Sequence, residues 1–173
     1  MNLFVTDPSP ASSAEALDDQ RLIKAVLEAG QLLSTCLGVG YRPTHLRHPV
    51  TLWVAADPSH TLYAVLSLQA LGAEYSFRFG KEHRTAAMAP MFFEALGRVW
   101  PAAGIGASDG PSQPVQFQNS ARNVGAGVDF THFPVCEAYR AYLNWKWSHD
   151  RRSPRWTGRS APSWYRCPTV LGQ

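Results

Sequence analysis

A narrow polar stripe on an otherwise apolar helix is the feature that most restricts how this chain can fold. At roughly 100° per residue, the polar side chains between positions 21 and 35 fall within about 80° of one another. The rest of this segment is rich in leucine, isoleucine and valine, whereas a surface helix normally has a broad polar face. We therefore predict a helix that is packed on most sides and lines a cleft with its stripe. The stripe consists of Arg21, Lys24, Glu28, Gln31 and Thr35.

The stripe has two interpretations. In the first, it faces water, and Lys24 and Glu28 form an ordinary ion pair between neighbouring helical turns. In the second, Glu28 is a reactive carboxylate, and Arg21, Lys24 and Gln31 hold phosphate or base. Asp18, just before the stripe, is interpreted as a residue that compensates the dipole at the start of the helix.

The remaining apolar patterns predict an all-α, compact fold with long loops. A chain of 173 residues can bury one proper core, so we expect a single domain over 1–173, with a basic, tryptophan-bearing C-terminal limb at 148–173. Asp57 followed by Pro58 predicts the start of a long helix, because Asp is a good N-cap and Pro fits the first turn. The predicted helices are 12–37 (broken or bent at its start), 58–80, 90–100 and 134–147.

Residues 101–130 are predicted to form a long loop, because Gly, Pro, Ser, Asn and Gln dominate there and helical periodicity is lost. Amide side chains flank Phe117 in this loop, which suits hydrogen bonding to, and stacking on, a base turned out of a duplex. A plain polar surface loop is the alternative. The candidate nucleic-acid contacts are Gln116, Gln118, Asn119 and Arg122.

Positive charge is concentrated near the C-terminus, although the net charge of the chain is only +3. Between positions 140 and 166, seven Lys or Arg residues stand against one acid, Asp150. Such an excess is typical of phosphate binding, and a solvated tail is the alternative. Aromatic residues interleaved with arginines favour binding of a nucleic-acid strand. The candidates are Arg151, Arg152, Arg155, Trp164 and Tyr165, whereas Tyr139, Tyr142, Trp145 and Trp147 are predicted to be helix core.

A compact basic cluster precedes the second long helix. Phosphate or base contact is its favoured role, with helix capping as the alternative for His48. No Cys or carboxylate at ligand spacing accompanies its histidines, and the three cysteines form no CxxC pair, so we expect no metal. Nucleotide-binding fingerprints are also missing, and no cofactor is expected. The cluster consists of Arg42, His45, Arg47 and His48.

The first residues of the chain lack the basic start of a signal peptide and reach an acid at Asp7. No apolar run approaches the length that crosses a bilayer. The sequence therefore predicts a cytoplasmic protein that does not enter a membrane.

Three short motifs follow one another along the chain. The first is Leu-Asp-Asp-Gln-Arg-Leu-Ile at 17–23, followed by Glu28. The second is His-Pro-Val-Thr at 48–51, and the third is Pro-Ser-Trp-Tyr at 162–165. In this order they resemble motifs of the small phage pyrimidine-dimer DNA glycosylases of the T4 endonuclease V type. The chain also resembles a broader set of uncharacterised phage and prophage proteins that carry Tyr-x-Pro-Thr-His, here at 41–45.

The resemblance implies an all-α fold, base flipping, and cleavage of the N-glycosidic bond followed by strand scission. It also implies that the amine at the start of the chain attacks the sugar carbon while Glu28 assists, which makes Met1, Asn2 and Glu28 the candidate catalytic residues. Because Asn2 is bulky, Met1 is expected to be retained and to supply this amine. Arg21 stands where the family has a histidine, and Gln31 where it has a phosphate-contacting arginine.

The leading prediction is a DNA glycosylase, with or without abasic-site lyase activity, that excises a damaged or modified pyrimidine. The first alternative is an enzyme on the same scaffold that alters hypermodified bases in phage-type DNA without leaving an abasic product. The second is a non-catalytic DNA- or RNA-binding domain, which the substitution Glu28→Gln would not affect. In each case the partner is nucleic acid, and DNA is favoured over RNA.

Overall fold

The computed structural model describes residues 2–103 and 115–166. This part of the chain is mainly helical, as predicted, and a single two-stranded antiparallel sheet is the one sheet found in it. None of the helices in these ranges combines the length and hydrophobicity needed to span a bilayer. The helices are α1 (Pro10–Ala16), α2 (Asp19–Leu37), α3 (Pro49–Ala56), α4 (Pro58–Phe79), α5 (Ala89–Val99) and α6 (Val135–His149).

The helix predicted from position 12 is divided into α1 and α2 by two extended residues, Leu17 and Asp18. The break is stabilised by tertiary contacts, since both side chains are buried. Asp18 stands at the N-cap of α2, where a dipole-compensating residue belongs, but its carboxylate also accepts a hydrogen bond of 2.7 Å from Nε1 of Trp147. Dipole compensation alone is therefore an incomplete account of Asp18.

The central helix is α4, which packs against α1, α2, α3 and α5. Its predicted start is confirmed: the Asp57 side chain accepts a hydrogen bond of 2.7 Å from the Ser59 backbone N–H. It ends as predicted before Gly80, which adopts the left-handed conformation with φ of +64°. Buried residues lie along most of its length, because helices cover it on several sides.

Helix α3 was not predicted from the sequence. It begins at Pro49 and is capped by His48, whose Nδ1 accepts a hydrogen bond of 3.2 Å from the Val50 backbone N–H. The capping role considered for His48 is thus confirmed. Only eight residues long, α3 is too short for its apolar residues to show a clear helical period.

The described part of the predicted long loop contains a small hairpin rather than open coil throughout. Strands β1 (Arg122–Asn123) and β2 (Val128–Asp129) pair in antiparallel register. Ala121 is fully buried just before the hairpin, and its carbonyl accepts a hydrogen bond of 3.0 Å from the Phe130 backbone N–H. This anchors the hairpin against the helical core. The segment 104–114 lies outside the described residues.

The described part of the C-terminal limb packs onto the helices. Trp156, Trp164 and Tyr165 all contact the buried ring of Trp147, with centroid distances of 5.2, 5.5 and 5.4 Å respectively. Trp156 also donates a hydrogen bond of 3.0 Å to the Ala16 carbonyl. These partly buried aromatic side chains anchor the limb to the hydrophobic core, although most of its other residues are exposed. A freely solvated tail is therefore wrong for the described part of the limb.

A buried ion network ties this limb to α4. Glu74 accepts hydrogen bonds of 2.7 Å from both Arg78 and Arg159. Arg78, whose side chain has no exposed surface, also contacts Asp19 at 3.1 Å. Hydrogen bonds from the arginines outweigh the effect of burial and lower the pKa of the Glu74 carboxyl. The network therefore holds three segments that are distant in sequence around one carboxylate.

Candidate active-site cavity

A cavity of about 650 Å³ opens beside Glu28, and we call it the Glu28 cavity. Five segments form its lining: the start of the chain, α2, the start of α3, the hairpin with the residues before it, and α6 with the residue that follows it. A volume of this size is typical of sites that enclose small organic groups. The lining residues are Asn2, Phe4, Gln20, Arg21, Lys24, Ala25, Glu28, His48, Pro49, Ser120, Arg122, Asn123, Val124, Tyr142, Lys146 and Asp150.

The N-terminal part of the predicted polar stripe lines this cavity. Arg21, Lys24 and Glu28 belong to the lining, whereas Gln31 and Thr35 do not. The Thr35 hydroxyl instead accepts a hydrogen bond of 3.0 Å from the Thr44 backbone N–H and so fixes the loop after α2. The stripe thus faces a cleft over its first two turns and supports the neighbouring loop over its last.

Glu28 is partly enclosed, with 15% of its side-chain surface exposed. Its Oε2 accepts a hydrogen bond of 3.0 Å from the Asn2 backbone nitrogen, and its Oε1 lies 3.5 Å from Nζ of Lys24. The carboxylate is therefore neither surrounded by bulk water nor sealed beneath apolar groups. The start of the chain lies directly against it, whereas Met1 itself is outside the described residues.

Arg21 is held between two carboxylates at the edge of the Glu28 cavity. Its Nη1 lies 3.0 Å from Oδ1 of Asp18, and its Nη2 lies 2.8 Å from Oδ2 of Asp150. Only 11% of the side chain is exposed. The charge of Arg21 is thus compensated by two acids, and its contact with phosphate or base stays a prediction.

Helix α6 contributes two side chains to the cavity that the sequence analysis left out. Tyr142 was predicted to be core, and it is buried, but it also borders the cavity. Lys146 lies one turn further on, with Nζ 5.0 Å from the centroid of the Tyr142 ring. A lysine four residues after an aromatic residue indicates that the two side chains are neighbours on α6, but it does not indicate which cavity they face.

The environment of Lys146 disfavours its charged form. Burial lowers the pKa of its ammonium group, and the positive charges of Arg21 and Lys24 lower it further, while Asp150 and Glu28 oppose these effects. The pKa of His48 is also lowered, chiefly by burial. Both groups are thus shifted towards their neutral forms within the same cavity.

The hairpin gives the cavity its remaining cation. Arg122 lies on β1, and Val124 follows at the turn, with 81% of its surface exposed. Of the residues proposed from the long loop, Arg122 alone lines the Glu28 cavity. Asn119 instead donates hydrogen bonds of 3.3 and 3.0 Å to the carbonyls of Thr131 and Phe133. Its side chain therefore stabilises the conformation of the loop.

The other predicted contacts lie outside the Glu28 cavity. Gln116 and Gln118 border a separate cavity next to Trp53, whose Nε1 donates a hydrogen bond of 2.7 Å to the Gln116 carbonyl. Trp164 borders another cavity of about 670 Å³ on a different side of α6, and Tyr165 packs against Trp147. The remaining members, which are exposed or partly exposed outside the cavity lining, are Arg42, His45, Arg47, Arg151, Arg152 and Arg155.

Across residues 2–103 and 115–166, no group of three or more His, Cys, Asp or Glu side chains is arranged to hold a metal ion. The titratable groups of the Glu28 cavity are instead two carboxylates, two lysines, two arginines, a histidine and a tyrosine, and uncharged polar side chains line it as well. Such a set can bind phosphate, stabilise positive charge and supply an amine.

One comparison with known proteins gives a match. Residues 1–86 match the family model described as pyrimidine dimer DNA glycosylase, and this range includes Glu28, His48 and the whole of α1 to α4. No curated protein and no solved structure matches the chain significantly. The match confirms the resemblance that the sequence motifs indicated. Residues 1–86, just under half of the chain, are thus similar to the family of pyrimidine dimer DNA glycosylases.

Proposed function

We propose that this chain excises a damaged or modified pyrimidine from DNA by base flipping, with Glu28 as the key carboxylate. The observation that carries the proposal is the position of Glu28 in an open cavity, in contact with both the start of the chain and Lys24. The family match to residues 1–86 supports the same reaction class. Neither alternative from the sequence has a specific observation in its favour.

Access to the sugar requires that a nucleotide leave the base stack. The Glu28 cavity has room for a nucleoside-sized group, and its rim carries the cations Lys24 and Arg122. These are placed to attract the phosphates on either side of an extruded nucleotide. We therefore propose that an extruded nucleotide enters this cavity with its sugar directed towards Glu28.

Glu28 acts on the charge that develops as the base departs. Cleavage of the N-glycosidic bond leaves a positively charged, oxocarbenium-like sugar, which a nearby carboxylate stabilises. The partial enclosure of Glu28 strengthens this interaction, because less water screens it than at a fully exposed site. Loss of this carboxylate is therefore expected to slow base departure.

The start of the chain is proposed to supply an amine to the sugar. The Asn2 nitrogen lies 3.0 Å from Oε2 of Glu28. If Met1 is removed, this nitrogen becomes the terminal amine; if Met1 is retained, the amine belongs to the preceding residue. Attack of that amine on the sugar carbon forms an imine, which permits elimination of the neighbouring phosphate.

The proposal is tested with oligonucleotide duplexes that carry a pyrimidine dimer or a modified pyrimidine. Release of free base, together with an adduct trapped by borohydride, supports excision with lyase activity, and base release without an adduct supports a glycosylase alone. Turnover of the base without an abasic product would favour an enzyme that modifies bases. Binding without any chemical change across the substrate panel would favour a non-catalytic domain. Intact-mass measurement of the protein shows whether Met1 is retained.

A further inference from the structure

The lysines of this chain are unusually placed. The sequence contains thirteen arginines but only three lysines, Lys24, Lys81 and Lys146. Two of these three, Lys24 and Lys146, line the Glu28 cavity. An arginine binds phosphate at least as well as a lysine, but only a lysine can lose its proton and act as a nucleophile. Lysines in a cavity of an arginine-rich protein therefore point towards amine chemistry.

The two cavity lysines stand in different surroundings. Lys24 has 74% of its side chain exposed, and its Nζ lies 3.5 Å from the Glu28 carboxylate. Lys146 is partly buried on α6, with its Nζ 5.0 Å from the centre of the Tyr142 ring. Within the described ranges of the chain, no carboxylate lies at ion-pair distance from Lys146. Burial and the nearby charges of Arg21 and Lys24 lower its pKa.

We propose that Lys146 is a second imine-forming amine of this site, which reacts with the sugar aldehyde left after base excision. The inference rests on the proposed function, because that function produces the abasic sugar. The Lys146 side chain lies against the Tyr142 ring, and both side chains line the cavity that contains Glu28. An abasic sugar bound in this cavity would therefore have both the Lys146 amine and the Glu28 carboxylate beside it.

The reaction is balanced without any further reagent. Lys146 first gives one ammonium proton to water, and the lone pair of Nζ then attacks C1′ of the ring-opened sugar. The aldehyde oxygen takes up one proton from Nζ and one from water and leaves as water, which gives a protonated imine. The Glu28 carboxylate then accepts the proton from C2′. The C2′–H electron pair forms a double bond to C3′ as the C3′–O bond breaks and the phosphate leaves. Water finally hydrolyses the imine and restores Lys146.

The test is borohydride trapping of the full-length protein on a duplex with one abasic site, followed by proteolysis and mass mapping of the modified amine. We expect an adduct on Lys146 at a yield at least ~10-fold above those on Lys24 and Lys81. The variant Lys146→Arg keeps the positive charge but removes the nucleophile, and it is expected to lose this adduct. Lys81→Arg, outside the Glu28 cavity, is the matched control and is expected to keep it.

Adducts found on the N-terminal amine alone, or an unchanged total yield in Lys146→Arg, would overturn the inference. Thermal unfolding of Lys146→Arg shows that the variant is folded, and measured binding to the abasic duplex shows that its cationic role is preserved. Base release from a lesion duplex is measured separately. If wild type releases base but Lys146 gains no adduct, this inference fails alone. If Lys146 gains the adduct but no lesion is excised, the proposed function fails instead.

Discussion

Trp147 and Asp18 are joined across 129 residues of sequence by a buried hydrogen bond of 2.7 Å, from the indole Nε1 to Oδ1 of the carboxylate. The same Oδ1 lies 3.0 Å from Nη1 of Arg21. This pair connects the start of α2 to α6, the two helices that bring Glu28 and Lys146 to one cavity. A structural contact in the core thus fixes the geometry of the site.

We expect Asp18→Ala to lower the free energy of unfolding by about 2–4 kcal/mol, because it leaves the Trp147 indole and one side of Arg21 without their acceptor. Urea denaturation measures the change. Glu94→Ala is the control: it breaks an exposed ion pair with Arg98 and should cost under about 1 kcal/mol. Equal losses in the two variants would show that the Asp18–Trp147 bond has no special importance.

Gly30 marks a close approach between α2 and the loop before α5. A Cβ at this position would overlap Cγ2 of Thr85, whereas a Cβ at Gly97 in α5 would meet nothing within 4 Å. Gly30→Ala is therefore expected to destabilise the protein by about 1–3 kcal/mol. Gly97→Ala is expected to stabilise it by up to about 1 kcal/mol, because alanine favours the helix. Thermal denaturation of both variants tests the packing, and a stabilised Gly30→Ala would contradict it.

The Glu74 network predicts a specific dependence of stability on pH. The folded pKa of Glu74 is lowered below its ordinary value of 4.5. Its contribution to stability is therefore fully present above about pH 4.5 and is lost as the pH falls through the folded pKa. At neutral pH, Glu74→Gln is expected to cost about 3 kcal/mol, because Arg78 and Arg159 lose the buried carboxylate that they share. They keep their ion pairs with Asp19 and Glu15 respectively.

Denaturation curves from about pH 7 to about pH 3 provide the measurement for Glu74. The difference in stability between wild type and Glu74→Gln should shrink below about pH 4.5. Protonation of Glu74 in the wild type then removes the same negative charge that the substitution has removed in the variant. A difference that stays constant over this range would show that the charge of Glu74 does not stabilise the fold.

Most of the helical architecture could be predicted from the sequence because local signals mark it. The Asp57 cap, the glycine after α4 and the reversed polarity of α2 are encoded within a few residues. Helix α3 was missed because eight residues show no period, and the break at Leu17 was located only roughly because burial of Leu17 and Asp18, rather than a local breaker, produces it.

The candidate site was only partly predictable. Arg21, Lys24 and Glu28 could be grouped from the sequence, because residues three or four positions apart lie on the same face of a helix. Lys146 and Tyr142 could not be added, because their approach to Glu28 depends on how α6 packs across α2. Conversely, Gln116 and Asn119 have suitable chemistry, but the fold of their loop directs them away from the Glu28 cavity.

Arg122 is expected to bind a phosphate near the Glu28 cavity. Arg122→Ala should weaken DNA binding and reduce the slope of log affinity against log salt concentration by about 0.9. Arg98→Ala is the control, because Arg98 is exposed, paired with Glu94 and outside the cavity lining. Fluorescence anisotropy at several salt concentrations gives both slopes. If the slope of Arg122→Ala equals that of wild type, Arg122 does not contact phosphate.

The role of Glu28 is tested by the rate of base release by Glu28→Gln under single-turnover conditions, on whichever pyrimidine lesion the wild-type protein excises. Glutamine keeps the size and hydrogen-bonding capacity of the side chain but removes the negative charge. We predict a loss of at least ~100-fold in rate, with lesion-DNA binding retained. Base release by Glu28→Gln at the wild-type rate would contradict the central claim that this carboxylate stabilises the departing sugar.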